Sequence, residues 1–346
     1  MKAWIAVRIG KPAASQLIHK KTLLIVFALA AACIAAVVAG VALGDMRIHP
    51  FDVVRAMLGE GSVEHRFVVR TLRLPRVVVA LLVGMALAVA GSILQGIIRN
   101  PLASPDIIGI TSGASVAAVA FISYLSGTIS IVWLPAAALA GAAAASLIVY
   151  LLAWKRGVTS IRLVLIGIGI NFLLAAATKV MLLKNPDYST SQAYVWLVGT
   201  VYGSDWGLVG MIAPWIAVFL PAAWLLARNV NALQLGDDVA ASVGSAVQRQ
   251  RFALLMVSVA LAGVAVAAGG SISFVGLIAP HMARKLVGPS FGGALPVSAL
   301  IGGITVVVAD TVARVAFPPY DIPVGVFTAG VGAPFFIYLL YRNRNA

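Results

Sequence analysis

Long apolar runs alternate with short polar breaks along almost the whole chain. At about 20 apolar residues per bilayer crossing, ten segments qualify: residues 22–43, 76–98, 106–124, 131–154, 161–183, 208–228, 250–269, 272–287, 295–315 and 324–341. The pattern predicts an all-α polytopic membrane protein, with one transmembrane domain over residues 22–346 behind a basic segment, residues 1–21. The first run is too long for a signal-peptide core and follows Lys2, Arg8, Lys11, Lys20 and Lys21, so it reads as a retained span with a cytoplasmic N-terminus. Ten crossings return the C-terminus to that same side. Ser191 to Asp205 is read as a short helix at the outer surface, because Tyr194, Trp196, Tyr202 and the adjoining Trp206 suit a headgroup interface. Counting it as an eleventh crossing would reverse every later loop.

Composition agrees with this class: 61% of the 346 residues are apolar and 10% charged, against about 45–50% and 25% in soluble domains. The net charge of +14 is distributed by side of the membrane, not as a nucleic-acid surface. Arg99, Lys155, Arg156, Arg162, Arg228, Arg249, Arg251, Arg284, Lys285, Arg342 and Arg344 join the N-terminal cations on the cytoplasmic side, as the positive-inside bias requires. Arg47, Arg55, Arg66, Arg70, Arg73 and Arg76 break it, crowding the outer segment before residue 77. The last four recur at intervals of four, three and three and would share a helical face, although Pro75 is expected to begin a new helix. They suit a collar for lipid headgroups or a docking surface for an acidic outer partner. Asp310, the one carboxylate placed well inside a span, costs about 2.5–3.5 kcal/mol unpaired. Arg314, four residues on, is its expected ion-pair partner.

The polar segment Leu235 to Gly244 (LGDDVAASVG) sits between two apolar runs on the cytoplasmic side. Asp237 and Asp238 favour the start of a helix. It reads either as a connecting loop or as the place where a soluble partner grips the membrane chain. Gly167, Gly169 and Asn171, near the middle of the fifth span, suit a packing seam or the wall of an aqueous path. Asn100-Pro101-Leu102 and Thr159-Ser160 form cytoplasmic turns that would meet across a pore mouth or serve as ordinary loops. No GxxxxGK[ST] phosphate loop occurs, so the chain is not its own ATPase by that motif. His19, His49, His65 and His281 have no metal-ligand spacing, Cys33 is the single cysteine, and no hydrolase constellation is present.

Several separated stretches resemble one family when read together. They are RLPR (Arg73 to Arg76), VGMALAVAGSILQGIIRNPLASPDIIGITSGAS (Val83 to Ser115), WLVGTVYGSDW (Trp196 to Trp206), LGDDVAASVG, SFVGLIAPHMAR (Ser273 to Arg284) and IPVGVFTAGVGAPFFIYLL (Ile322 to Leu340). The set resembles the permease subunits of type II ABC importers, the FecCD family, which import ferric siderophores, haem and vitamin B12. The resemblance implies a ten-helix permease with an inverted repeat, no catalytic residue or bound cofactor of its own, and a second permease subunit, identical or a sister chain. It also implies two cytoplasmic ATPase subunits holding ATP and Mg, an extracytoplasmic binding protein and a bacterial cytoplasmic membrane. Carried onto this sequence, Leu235, Gly236, Asp237, Asp238, Val239, Ala240, Ser242 and Gly244 become the ATPase-coupling segment. Arg73, Arg76 and Arg314, with the neighbouring Arg70, become the binding-protein docking set. Asn100, Leu102, Thr159 and Ser160 become the cytoplasmic gate, and Gly167 and Asn171 line the path. Within the family the Trp196 to Trp206 stretch looks more like ferric siderophore permeases than the vitamin B12 type. An ion-coupled secondary transporter, which should run without nucleotide, is the alternative of a different class.

Overall fold

A computed structural model describes residues 4–7, 16–184, 187–317 and 320–342. Lys2, Arg8, Lys11 and Arg344, assigned to the cytoplasm by charge, lie outside the described residues. Strands β1 (Trp4–Val7) and β2 (Gln16–His19) pair antiparallel, Trp4 opposite His19, a pairing the reading of this segment as a plain basic extension did not foresee. The remaining described elements are helical. They are α1 (Lys20–Ala42), α2 (Pro50–Leu58), α3 (Val63–Phe67), α4 (Leu74–Ile98), α5 (Ile110–Tyr124), α6 (Leu134–Ala153), α7 (Ser160–Leu183) and α8 (Asp187–Val198), then α9 (Trp206–Leu225), α10 (Ala227–Gln234), α11 (Asp237–Ser242), α12 (Val247–Gly269), α13 (Val275–Val287), α14 (Phe291–Ala316) and α15 (Val324–Arg342).

Each of the ten predicted segments coincides with a helix. Among the described residues eight helices are long and apolar enough to cross a bilayer, which makes this a multi-pass membrane protein. The other two, α5 and α13, have 15 and 13 residues. The aromatic segment near residue 200 is helical only as far as Val198, and Gly199 to Asp205 form a loop.

Helix α4 is the axis of the molecule, buried along most of its length and flanked by α12, α13 and α14. Two glycine contacts allow this. A Cβ on Gly91 would stand 1.8 Å from the Gly276 carbonyl oxygen of α13, and one on Gly84 would stand 2.2 Å from that of Gly302 in α14. In lipid, close van der Waals approach of backbones replaces the hydrophobic drive that joins helices in water.

The start of α4 differs from expectation. The helix does not restart at Pro75. It runs on from α3 through a π-helical turn, Val68–Arg73, in which the Leu74 N–H donates to the Val69 carbonyl. Proline lacks an N–H and its ring clashes with the carbonyl four residues back. Widening the preceding turn relieves that conflict without ending the helix. The turn also breaks the common face expected for the outer arginines: Arg70 is exposed, whereas Arg73 and Arg76 are buried.

Candidate functional site

Two polar regions lie at opposite ends of α4. Asp45, Arg73, Arg76, Tyr202, Asp205 and Arg314 line one cavity of about 560 Å³. At the other end Arg99, Asn100, Thr159, Ser160, Asp237 and Arg284 line three adjoining cavities. Residues that the charge pattern assigned to one side of the membrane therefore gather at one end of the bundle.

At the outer end the arginines are spent on the chain itself. Arg73 donates from Nη1 to the Val41 and Ala42 carbonyl oxygens (2.9 and 3.3 Å) and from Nη2 to that of Met46 (2.7 Å). Arg314 Nη2 donates to the Gly40 carbonyl. Both guanidinium groups thus close the last turn of α1, whose carbonyls have no partner within the helix and favour a cation. Arg76 donates from Nε and Nη2 to Asp310 Oδ1 (2.9 and 2.7 Å), and from Nη1 and Nη2 to the two oxygens of Asp321 (2.5 and 2.7 Å). The expected Asp310–Arg314 pair is therefore corrected. Asp310, 1% exposed, is held by Arg76 from α4, because a planar fork from a neighbouring helix meets both carboxylate oxygens while Arg314 is drawn to α1. Asp321, the second acid of this cluster, escaped the sequence reading, and only its position just before α15 marks it. Of the four expected docking arginines, Arg70 alone is exposed. Arg73, Arg76 and Arg314 line the cavity at that end.

At the end predicted to be cytoplasmic, α11 lies within the predicted coupling segment, with Asp237 and Asp238 in its first turn. The two acids differ in use. Asp238 is exposed. Asp237 accepts both hydrogen bonds of the Arg251 Nη2 group (2.8 and 2.9 Å) and lies 3.6 Å from Arg99 Nη2. Leu235 to Val239 share a cavity of about 300 Å³ with Arg99, Thr159 and Ser160, so residues predicted for coupling and for the gate adjoin. A second cavity, about 470 Å³, brings Asn100 and Pro101 opposite Ser160 and Ile161. Asn100 Oδ1 accepts from the Leu102 N–H at 2.8 Å, which closes that turn and leaves Leu102 off the cavity wall. Thr159 caps α7, and the Ser160 hydroxyl donates to the Ile97 carbonyl of α4 at 2.8 Å.

The two predicted path residues separate. Gly167 is a packing position, since a Cβ there would stand 1.8 Å from the Ile107 carbonyl oxygen. Asn171 faces a cavity of about 530 Å³ whose wall includes Asp106, Thr111, Ser112, Ser115, Ser271 and Ser273. The Ser112 hydroxyl donates to Asn171 Oδ1 (2.5 Å), and Asn171 Nδ2 donates to the Asp106 carbonyl (2.6 Å). A wall of hydroxyls and an amide suits an oxygen-rich solute. The sequence hid it because its members come from α5, α7 and the turn between α12 and α13.

Among the described residues no cluster of His, Cys, Asp and Glu could hold a metal ion.

Comparison with known proteins matches this arrangement. Residues 28–342 match the model of the FecCD transport family. The chain is 49% identical over 333 residues to the probable siderophore transport system permease protein YfhA of Bacillus subtilis, covering 95% of this chain and 97% of that one. It is 50% identical over 312 residues to the achromobactin transport system permease protein CbrC of Dickeya dadantii, covering 90% and 89%. Among solved structures, the inward-facing conformation of a metal-chelate type ABC transporter superposes with a TM-score of 0.84 at 28% identity, over 92% of this chain and 99% of that one. On the extent of the family match and of these identities, the chain belongs to the FecCD transport family.

Proposed function

We propose that the chain is the permease subunit of an ATP-driven importer that carries ferric siderophore through the bacterial cytoplasmic membrane. In this reading the ten helices that match the predicted segments all cross, both termini are cytoplasmic, and a second permease subunit completes the path. The observation that carries it is the shared cavity joining α11 to Thr159 and Ser160. A soluble partner pressing on the exposed side of α11 acts within one side chain of the gate.

Two ATPase subunits, holding ATP and Mg, supply that push. No cofactor is assigned to this chain. Moving a two-state path from 1:99 to 99:1 takes about 5.5 kcal/mol of differential affinity, which in this reading comes from ATP and not from the solute. On the outer side, a binding protein docks at Arg70 and extends acidic side chains into the cavity lined by Arg73, Arg76 and Arg314. Ferric siderophore is preferred as substrate because the relatives named for siderophore transport are similar over nearly the whole chain, and because the Asn171 cavity offers hydroxyl and amide groups to an oxygen-rich chelate.

The test is uptake of labelled iron-siderophore by a strain lacking the chain, restored from a plasmid, with haem and cobalamin as competitors. Restored uptake that neither competitor reduces is expected. Uptake that persists after ATP depletion but collapses with the ion gradient would identify an ion-coupled transporter instead.

A further inference from the structure

The largest fully buried side chain among the described residues is a cation, Arg251, 1% exposed in the second turn of α12. Burying a guanidinium is costly unless each charge and donor is met, and an apolar residue would fill the same space at less cost. Its contacts suggest what is gained. Nη2 holds both oxygens of Asp237 in α11, and Nη1 donates to the Val158 carbonyl. Val158 is gripped a second time: its N–H donates to Gln248 Oε1 (2.9 Å), and Gln248 Nε2 donates to its carbonyl (3.3 Å). The adjacent Gly157, at φ +118°, lies so close that a Cβ would stand 2.8 Å from the Gln248 amide.

Arg251 therefore ties α11 to the loop 157–160, and Ser160 at the end of that loop is bonded to the end of α4. Arg99, at the left-handed C-cap of α4 (φ 58°), approaches Asp237 from the other side.

We propose that Arg251 is the positioning residue that converts displacement of α11 into displacement of the gate loop, with Asp237 as its input and Val158 as its output. The proposal rests on the importer reading given above. With Nη2 on Asp237 and Nη1 on Val158, one rigid guanidinium plane bridges the two elements, so a displacement of one is passed to the other at fixed geometry. Lysine would keep the charge and lose the angle.

The experiment uses the permease assembled with its ATPase subunits in liposomes, and reads molecules imported per ATP hydrolysed. Arg251→Gln should lower that ratio about ten-fold and Arg251→Lys about three-fold, since a point charge replaces the fork. Asp237→Asn should lower it as well. The double variant Asp237→Asn/Arg251→Gln should fall no further than Arg251→Gln alone, because residues in one chain of contacts are non-additive. A ratio within about two-fold of the unaltered protein in Arg251→Gln, or effects that multiply in the double variant, overturns the relay. A parallel fall of uptake and hydrolysis also overturns it, because that is the mark of a merely structural arginine. Should Arg251→Gln assemble poorly, Gln248→Ala at the partly exposed edge of the grip decides the matter: a fall of about three-fold supports the relay and an unchanged ratio overturns it. Import by the unaltered protein without ATP overturns the importer reading itself, a result distinct from any of these.

Discussion

The two ends of α4 use the same chemistry to different ends. At the end of α4 predicted to be outer, Arg76 is buried between two carboxylates, and the deeper one, Asp310, is 1% exposed. At the end predicted to be inner the arrangement is inverted: one carboxylate, Asp237, is 32% exposed and shared between the buried Arg251 and the 40% exposed Arg99. A pair sealed from water on both members loses its attraction only at high cost. A pair with one member open to water is less costly to disturb, since solvent reaches the exposed carboxylate although not the buried guanidinium. The outer cluster joins α4, α14 and the segment before α15 as a fixed brace, and the inner one is suited to shift. A transport protein needs both, a part that holds its geometry and a part that yields.

The comparison can be broken most directly at Asp310. Asp310→Asn should cost about 3–5 kcal/mol, because it leaves a buried guanidinium half-paired, and the thermal midpoint in detergent should fall accordingly. A loss below about 1 kcal/mol would show that the outer cluster is no brace. Asp321, 26% exposed, sits at the cluster's edge. Asp321→Asn should cost about 1–2 kcal/mol by the same measurement, the range of a hydrogen bond to a charged group discounted for solvent. At the inner end, Asp237→Asn should also cost about 1–2 kcal/mol, because the 1% exposed Arg251 loses its counter-charge while an amide oxygen and water at the exposed side still reach its Nη2. Its main effect should appear in transport. Arg99→Ala should be the mildest, below about 1 kcal/mol and undetectable at high salt, as expected of a 3.6 Å pair open to water.

What was legible in the sequence follows from what repeats along the chain. The helices were readable because lipid imposes a length and a composition on every crossing, and each of the ten apolar runs coincides with a helix, eight of them of full length. The coupling segment was readable because Asp237 and Asp238 are conspicuous between two such runs. Pairings across the bundle were not. The i,i+4 rule pointed Asp310 to Arg314, yet the partner lies 234 residues away in the chain, on the helix packed against it. Arg251 was counted only as one of many cytoplasmic cations, because burial of a charge is a property of the assembled helices. Gly167 and Asn171 looked alike as mid-span small or polar residues. They part only when the 3-10 turn Pro105–Ile108 lands on the first and a cavity opens beside the second. The four spaced arginines misled for a different reason, since spacing implies a face only while the helical pitch stays constant.

That change of pitch at Val68–Arg73 has a bearing on how insertions and deletions would be tolerated. Each residue of an α-helix advances the azimuth by about 100°, whereas the widened turn spends one extra residue on about the same rotation. Excising a single residue there would restore ordinary pitch and leave the two flanks nearly in phase. The same excision deeper in α4 would swing everything beyond it by about 100°, so the widened turn should absorb the loss of one residue better than the shaft does.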